Sequence, residues 1–164
     1  MVDGLGFLLS NQMNNFSHEQ ALKARSSGAK LPPNTMAPGK RMVSTMVPTM
    51  VLKDGKLWLV TGSPGGATII GTVLQTIVDV VDFELNIGEA THIPRIHPLS
   101  GGTIELEPNF NPDTARLLVA MGHKVKVSQT MGSTQSIVIE GGKFLGAADP
   151  RRPGALAVGV DSLQ

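Results

Sequence analysis

Residues 57–71 read LWLVTGSPGGATIIG, and this stretch decides the fold. The apolar, β-rich run at residues 57–61 predicts a strand, and residues 67–83 predict a helix because their apolar side chains recur three or four positions apart. The glycine-rich turn at residues 62–66 lies between them. Such a turn aims free backbone N–H groups and the positive end of a helix dipole at one point, where negative charge is stabilised. Two readings fit it: a tight structural turn, or a cradle for an anion or oxyanion.

Two hairpins frame this segment. Upstream, Asp54-Gly55 separates the apolar runs at residues 49–52 and 57–61, and it supplies the positive φ angles of a type I′ turn. Downstream, Gly141-Gly142 joins candidate strands at residues 135–140 and 143–148. Further candidate strands lie at residues 4–10, 103–106, 123–128 and 155–160.

Two more helices have clear start and stop signals. Asn86 is a cap residue for a short helix that ends before Pro94. Asn111-Pro112-Asp113 opens another, and Gly122 closes it. Two hairpins with separated helices predict an α+β fold, a mostly antiparallel sheet with packed helices. Residues 17–40 show no sustained period, so we interpret them as mainly loop, either a lid or disordered.

Composition excludes several classes. The chain has 164 residues, a net charge of +1 and no cysteine, so we expect neither nucleic-acid binding nor disulfides. Its 19 glycines and 11 prolines indicate a turn-rich chain rather than a helical bundle. The longest apolar run, residues 69–81, is interrupted by Gln75 and Asp79, so we expect a soluble chain without membrane insertion. The four histidines do not fall at metal-ligand spacing, so no metal site is predicted.

Four polar segments admit a functional and a structural interpretation. The hydroxyls of Ser44 and Thr45 can hold a carboxylate or form a turn, and the amides at residues 12–15 can surround an amino group or bond their own backbone. Residues 131–135 form a polar loop that we interpret as structural. Residues 149–152 are either a basic surface turn or an ion-pair anchor, and we favour the anchor.

Ordered blocks along nearly the whole chain carry a family resemblance. They are LLSNQMNNFS (residues 8–17), APGKR (37–41), STMVPT (44–49), TGSPGGA (61–67), ATHIPR (90–95), MGSTQS (131–136) and GAADPR (146–151). Together they resemble the small, C-terminal subunit of γ-glutamyltranspeptidases, within the N-terminal-nucleophile hydrolase superfamily. The resemblance implies part of an αββα sandwich, with residues 1–164 as a single incomplete domain.

The resemblance also implies roles for individual residues. According to the resemblance, the N–H groups of the two turn glycines donate hydrogen bonds to the oxyanion. The adjacent hydroxyls bind the α-carboxylate of the γ-glutamyl substrate, and the amide side chains bind its α-amino group. The residues implied are Gly65, Gly66, Ser44, Thr45, Gln12 and Asn15. Relatives carry aspartate where Asn15 stands. Because a carboxylate bonds an ammonium about twice as strongly as a neutral acceptor does, recognition of a free amine should weaken here.

The family nucleophile is a threonine at the amino terminus of the small subunit, upstream of the amide block. We expect it to lie outside this chain, which should therefore be inactive alone. The implied whole enzyme transfers or hydrolyses the γ-glutamyl group of glutathione and related amides, without metal or organic cofactor, and its partner is the large subunit. The alternatives are an acylase acting on a different amide and a non-catalytic truncated fragment. Relatives are periplasmic or extracellular, and an isolated half-sandwich should self-associate.

Overall fold

The computed structural model describes residue 4 and residues 11–99 and 101–160. The chain divides into two compact units, Met1–Ser44 and Thr45–Gln164, and each is described by itself. Apart from Gly4, the candidate strand at residues 4–10 lies outside the described residues. That residues 1–164 form one incomplete domain stays a prediction.

The first unit is built around one helix. A 3₁₀ turn, Gln12–Asn15, precedes α1 (His18–Ser27), which ends at Gly28 in the left-handed region. The interpretation of residues 17–40 as mainly loop is wrong for these ten residues. The pattern hid the helix because α1 buries only Ala21 and Ala24 and has no apolar stripe. Whether the segment acts as a lid stays a prediction.

The second unit contains the remaining elements. Its helices are α2 (Ile69–Val81), α3 (Ile87–His92) and α4 (Pro112–Ala120). Its strands are β1 (Thr49–Lys53), β2 (Lys56–Gly62), β3 (Ile96–Pro98), β4 (Thr103–Leu106), β5 (Lys124–Val127), β6 (Gln135–Glu140) and β7 (Lys143–Ala148).

The larger sheet has the order β1-β2-β6-β7, and every neighbouring pair is antiparallel. Both predicted hairpins are confirmed. Asp54 and Gly55 have φ angles of 52° and 74°, and Gly141 and Gly142 have 55° and 77°, as type I′ turns require. The mixed fold with a mostly antiparallel sheet is therefore confirmed.

The smaller sheet, β3-β4-β5, differs from expectation in one respect. β3 pairs antiparallel with β4, but β4 and β5 are parallel, and α4 lies between them in sequence as the crossover that parallel strands need. β3 was not predicted because three residues are too short for a pattern. The strand predicted at residues 155–160 is wrong: its apolar residues alternate, yet Leu156 and Val158 are 79% and 78% exposed and the segment joins no sheet.

The core of this unit lies between the larger sheet and two helices. Leu59 and Val138 of the sheet pack against Val80 of α2 and against Ile87 and Ala90 of α3. The helix predicted at residues 67–83 is confirmed, with a 3₁₀ turn, Gly66–Thr68, as its first part. The predicted caps of α3 and α4 are confirmed too.

The opposite face of the larger sheet is apolar and only partly covered, and residues 156–159 line a cavity on it together with Val60, Ile137 and Phe144. Met50 pairs with Val60, which pairs with Ile137, so one row of side chains crosses three strands on the side away from Leu59. Met50 is 72% exposed, and Phe144 of β7 is 75% exposed. Among the described residues, no helix is long and apolar enough to cross a membrane.

Candidate active site

The turn at residues 62–66 joins β2 to the 3₁₀ turn that opens α2. Gly65 has φ 142° and Gly66 has φ 59°, and both are exposed. A Cβ atom at Gly65 would lie 2.5 Å from the Thr68 hydroxyl oxygen and 3.3 Å from the Cα of Gly132. Only glycine therefore fits at this position, for both conformational and steric reasons.

The backbone N–H groups of Gly65 and Gly66 are adjacent and available. Within residues 11–99 and 101–160, neither group donates a hydrogen bond to a protein acceptor. Two neighbouring donors at the start of a helix can hold negative charge that develops on a reacting oxygen. The geometry suits an oxyanion site.

The loop at residues 131–134 packs directly on this turn. The Ser133 N–H donates to the Ser63 hydroxyl at 2.9 Å. Gly132 has φ 64°, and a Cβ there would lie 2.5 Å from the Ser63 oxygen and 2.9 Å from the Thr72 hydroxyl oxygen. The loop that the sequence suggested to be structural therefore supports the candidate site.

Four buried charges hold that loop in place. The Arg95 guanidinium contacts the Asp149 carboxylate at 2.7 Å, while Arg151 contacts Glu107 at 2.5 Å and Asp149 at 3.1 Å. Each of these side chains is less than a tenth exposed, and the two positive and two negative charges balance. We refer to Arg95, Glu107, Asp149 and Arg151 as the ion-pair cluster. The ion-pair interpretation of residues 149–152 is confirmed for Asp149 and Arg151, while Arg152 is exposed.

The ion-pair cluster bonds the backbone at both ends of the loop. Glu107 accepts from the Met131 N–H at 2.5 Å, and Arg95 donates to the Met131 carbonyl at 2.8 Å. At the other end, Asp149 accepts from the Thr134 N–H at 2.8 Å. The cluster thus fixes the loop, and the loop in turn contacts the turn that carries the two glycines.

The surroundings keep both carboxylates of the cluster ionised. Burial raises the pKa of Glu107, but hydrogen bonds from Arg151 and from the Met131 and Arg95 N–H groups outweigh it and leave the pKa below its ordinary value. Burial likewise raises the pKa of Asp149, and hydrogen bonds from Arg151, Arg95 and Thr134 reverse the effect. Nothing in the sequence distinguished Glu107, because an acid after a short strand is usually exposed.

The other predicted residues divide between the two units. Gln12, Asn15 and Ser44 lie in the first, where the Gln12 amide nitrogen is 3.5 Å from the Ser44 hydroxyl although 32 positions separate them. Asn15 is exposed, and its backbone carbonyl accepts from the Asn34 amide at 2.6 Å. Thr45 begins the second unit and is half-buried. In the part of the chain that the structure describes, no group of three metal-ligating side chains occurs.

Comparisons with known proteins identify relatives of this chain. The family model described as Gamma-glutamyltranspeptidase matches residues 1–159. The glutathione hydrolase proenzyme of Escherichia coli strain K12 is 46% identical over 156 residues, which are 94% of this chain and 27% of that protein. The acylase ACY 1 proenzyme of Pseudomonas sp. strain SE83 is 34% identical over 93% of this chain and 26% of its own length.

Solved structures show the same relationship. The γ-glutamyltranspeptidase from Pseudomonas nitroreducens complexed with L-DON has a TM-score of 0.79 and 32% identity, covering 98% of this chain and 86% of that one. The Helicobacter pylori γ-glutamyltranspeptidase T380A mutant has a TM-score of 0.76 and 36% identity, covering 93% and 85%.

The fold is that of an N-terminal-nucleophile hydrolase. The chain belongs to the γ-glutamyltranspeptidase family. It spans about a quarter of the length of the curated relatives it matches.

Proposed function

We propose that this chain is the C-terminal part of an enzyme that transfers or hydrolyses the γ-glutamyl group of glutathione and related amides. The observation that carries the proposal is the turn at residues 62–66, which presents two exposed, unbonded N–H groups within the described residues. Membership of the family supports the reaction class, since the first relatives compared are glutathione hydrolase proenzymes.

In the proposed reaction this chain supplies the oxyanion donors and the substrate-binding residues, and the nucleophilic threonine lies outside it. A threonine hydroxyl attacks the γ-carbonyl carbon, its proton passes to the threonine's own amine, and the carbonyl oxygen becomes an anion. Gly65 and Gly66 donate to that oxygen. When the tetrahedral intermediate collapses, the C–N bond breaks, the amine leaves with a proton, and a γ-glutamyl ester forms. Water or an acceptor amine then cleaves the ester.

The remaining predicted residues bind the γ-glutamyl substrate at its α-carbon end, away from the reacting carbonyl. Ser44 and Thr45 donate hydroxyl hydrogen bonds to the α-carboxylate. Gln12 and Asn15 accept from the α-ammonium. The short distance between Gln12 and Ser44 supports this division, because the two groups they bind are attached to one carbon atom. No step needs a metal or an organic cofactor, since the nucleophile brings its own base.

The partner of the chain is the large subunit of the same precursor. In the second unit, the outer face of the larger sheet exposes Met50 of β1, Ile137 of β6 and Phe144 of β7, and such an apolar face is usually covered in a stable protein. The second layer of an αββα sandwich would cover it. The chain without that partner should self-associate through this face.

Asn15 favours a second candidate, an acylase acting on an amide without a free α-ammonium. An amide oxygen is a weaker acceptor for a cation than the carboxylate that the family pattern places here. The similarity to an acylase proenzyme is consistent with this alternative.

Donor kinetics of the enzyme assembled from this chain and its large subunit test both candidates. We expect hydrolysis of a γ-glutamyl anilide, and we expect Asn15→Asp to lower KM for that donor about tenfold by restoring a charge-assisted bond. Asn14→Asp, which adds the same charge one residue away, is the matched control and should change KM much less. Turnover of acyl amides but not of γ-glutamyl donors would establish the acylase instead. No turnover of either would refute the proposal.

A further inference from the structure

We propose that Ser63 and Thr68 are positioning residues that aim the N–H groups of Gly65 and Gly66 at the reacting oxygen. This inference rests on the proposed function of the turn and adds to it. It assigns a task to two hydroxyl side chains that do not themselves touch the substrate.

Ser63 controls the peptide group that carries the Gly65 N–H. Its hydroxyl donates to the Pro64 carbonyl at 2.7 Å. That carbonyl and the Gly65 N–H belong to one planar trans peptide, in which they point in opposite directions. Holding the oxygen therefore sets the direction of the N–H. The same hydroxyl accepts from the Ser133 N–H at 2.9 Å, so it is itself anchored to the loop at residues 131–134.

Thr68 controls the next peptide group in the same way. Its hydroxyl donates to the Gly65 carbonyl at 3.0 Å, and its backbone N–H donates to the same oxygen at 3.1 Å. The Gly65 carbonyl is the other end of the peptide that carries the Gly66 N–H. Both donor peptides of the candidate oxyanion site are thus held at their carbonyl ends by a side-chain hydroxyl.

This turn needs such clamps because glycine has no side chain to restrict it. Gly65 and Gly66 both occupy positive φ values in an exposed segment, where a free chain would sample many conformations. A donor that reorganises during the reaction loses most of its stabilising effect, so preorganisation has a large influence on rate. A hydrogen bond to each carbonyl also polarises its peptide, which makes the N–H a better donor.

The test uses the enzyme assembled from this chain and its large subunit. Thr68→Val keeps the shape and the backbone N–H but removes the hydroxyl, and Thr68→Ser puts the hydroxyl back. We expect Thr68→Val to lower kcat for a γ-glutamyl anilide about tenfold with KM within about twofold, and Thr68→Ser to recover most of the loss. Ser63→Ala should show the same split between kcat and KM.

Thr76→Val is the matched control. Thr76 also donates its hydroxyl to a backbone carbonyl, that of Thr72 at 3.0 Å, but it is buried within α2. It should lower thermal stability while leaving kcat unchanged. An equal fall in kcat for Thr76→Val and Thr68→Val, or no recovery in Thr68→Ser, would show a merely structural role and overturn the inference.

A second readout separates this inference from the proposed function. In the ¹⁵N-glycine-labelled enzyme without substrate, Thr68→Val should shift the Gly66 amide resonance, and Ser63→Ala should shift that of Gly65. If the amide resonances are unchanged, the inference that these hydroxyls orient the glycine N–H groups is refuted, even if the enzyme is active. If the wild type turns over no γ-glutamyl donor, the proposed function fails, and the amide resonances alone decide whether the hydroxyls orient the glycines.

Discussion

Replacing Glu107 by glutamine should destabilise the protein strongly although the two side chains have nearly the same shape. The Glu107 carboxylate accepts from the Arg95 N–H at 2.8 Å, the Met131 N–H at 2.5 Å, and Arg151 at 2.8 and 2.5 Å. The glutamine side chain has only one acceptor oxygen, and its NH₂ group would point at N–H donors with which it cannot form a hydrogen bond. It also leaves the ion-pair cluster with an excess positive charge in a buried site.

The size of the effect follows from that burial. Breaking a buried ion pair by removing one partner costs about 3–5 kcal/mol, because the remaining charge stays desolvated and uncompensated. The lower end, about 3 kcal/mol, applies here because glutamine keeps one acceptor oxygen. For a chain of this length, that loss lowers Tm by about 10 °C.

Thermal unfolding followed by circular dichroism at several pH values measures the effect. The folded-state pKa of Glu107 lies below its ordinary value of 4.5, so its ionisation stabilises the protein fully above that pH. The stabilisation is lost as pH falls through the folded pKa. The difference in Tm between wild type and Glu107→Gln should therefore be full at neutral pH and shrink as pH falls below 4.5.

Glu105→Gln provides the control. Glu105 pairs with Lys126 at 3.2 Å, but the lysine is 62% exposed, so the pair should contribute less than about 1 kcal/mol. A Glu107→Gln shift as small as that of Glu105→Gln at neutral pH would refute the reasoning. So would a shift that does not depend on pH.

Two further substitutions test the local structure. Gly132→Ala should lower the free energy of unfolding by about 1–3 kcal/mol, because residue 132 has a φ of 64° and a Cβ there would lie 2.5 Å from the Ser63 oxygen. Gly142→Ala is the control, since Gly142 has a φ of 77° but open space around it. It measures the cost of the backbone conformation without the steric contact. Equal denaturation midpoints for the two variants would show that the contact with Ser63 costs nothing. Asn86→Ala removes the capping box of α3 and should cost about 1 kcal/mol in urea unfolding, and an unchanged midpoint would contradict it.

Local sequence determined the elements whose signals lie within a few residues. The Asp54-Gly55 pair favours a type I′ turn whatever the rest of the fold. The Asn86 side chain caps α3 by accepting a hydrogen bond from the N–H of Glu89, three residues further along the chain. The regular spacing of apolar residues predicted α2 as a helix, but its buried face also contains Thr72 and Thr76, whereas Ile70 and Leu74 of the predicted stripe are exposed. In the same way, the Gly-Ser-Pro-Gly-Gly turn predicted two neighbouring N–H donors, since backbone geometry at glycine and proline is a local property.

Only the tertiary structure decided which polar residues are buried and what they hold. Glu107 and Arg151 are 44 positions apart, and their pairing depends on the path of the chain between them. The approach of Gln12 to Ser44 and the contact of Ser133 with Ser63 are equally non-local. The sequence around a charged or hydroxyl side chain does not show whether its hydrogen-bond partner will be water or a residue far away in the chain. Burial and long-range hydrogen bonding settle that question, and here they connect the ion-pair cluster to the two glycines.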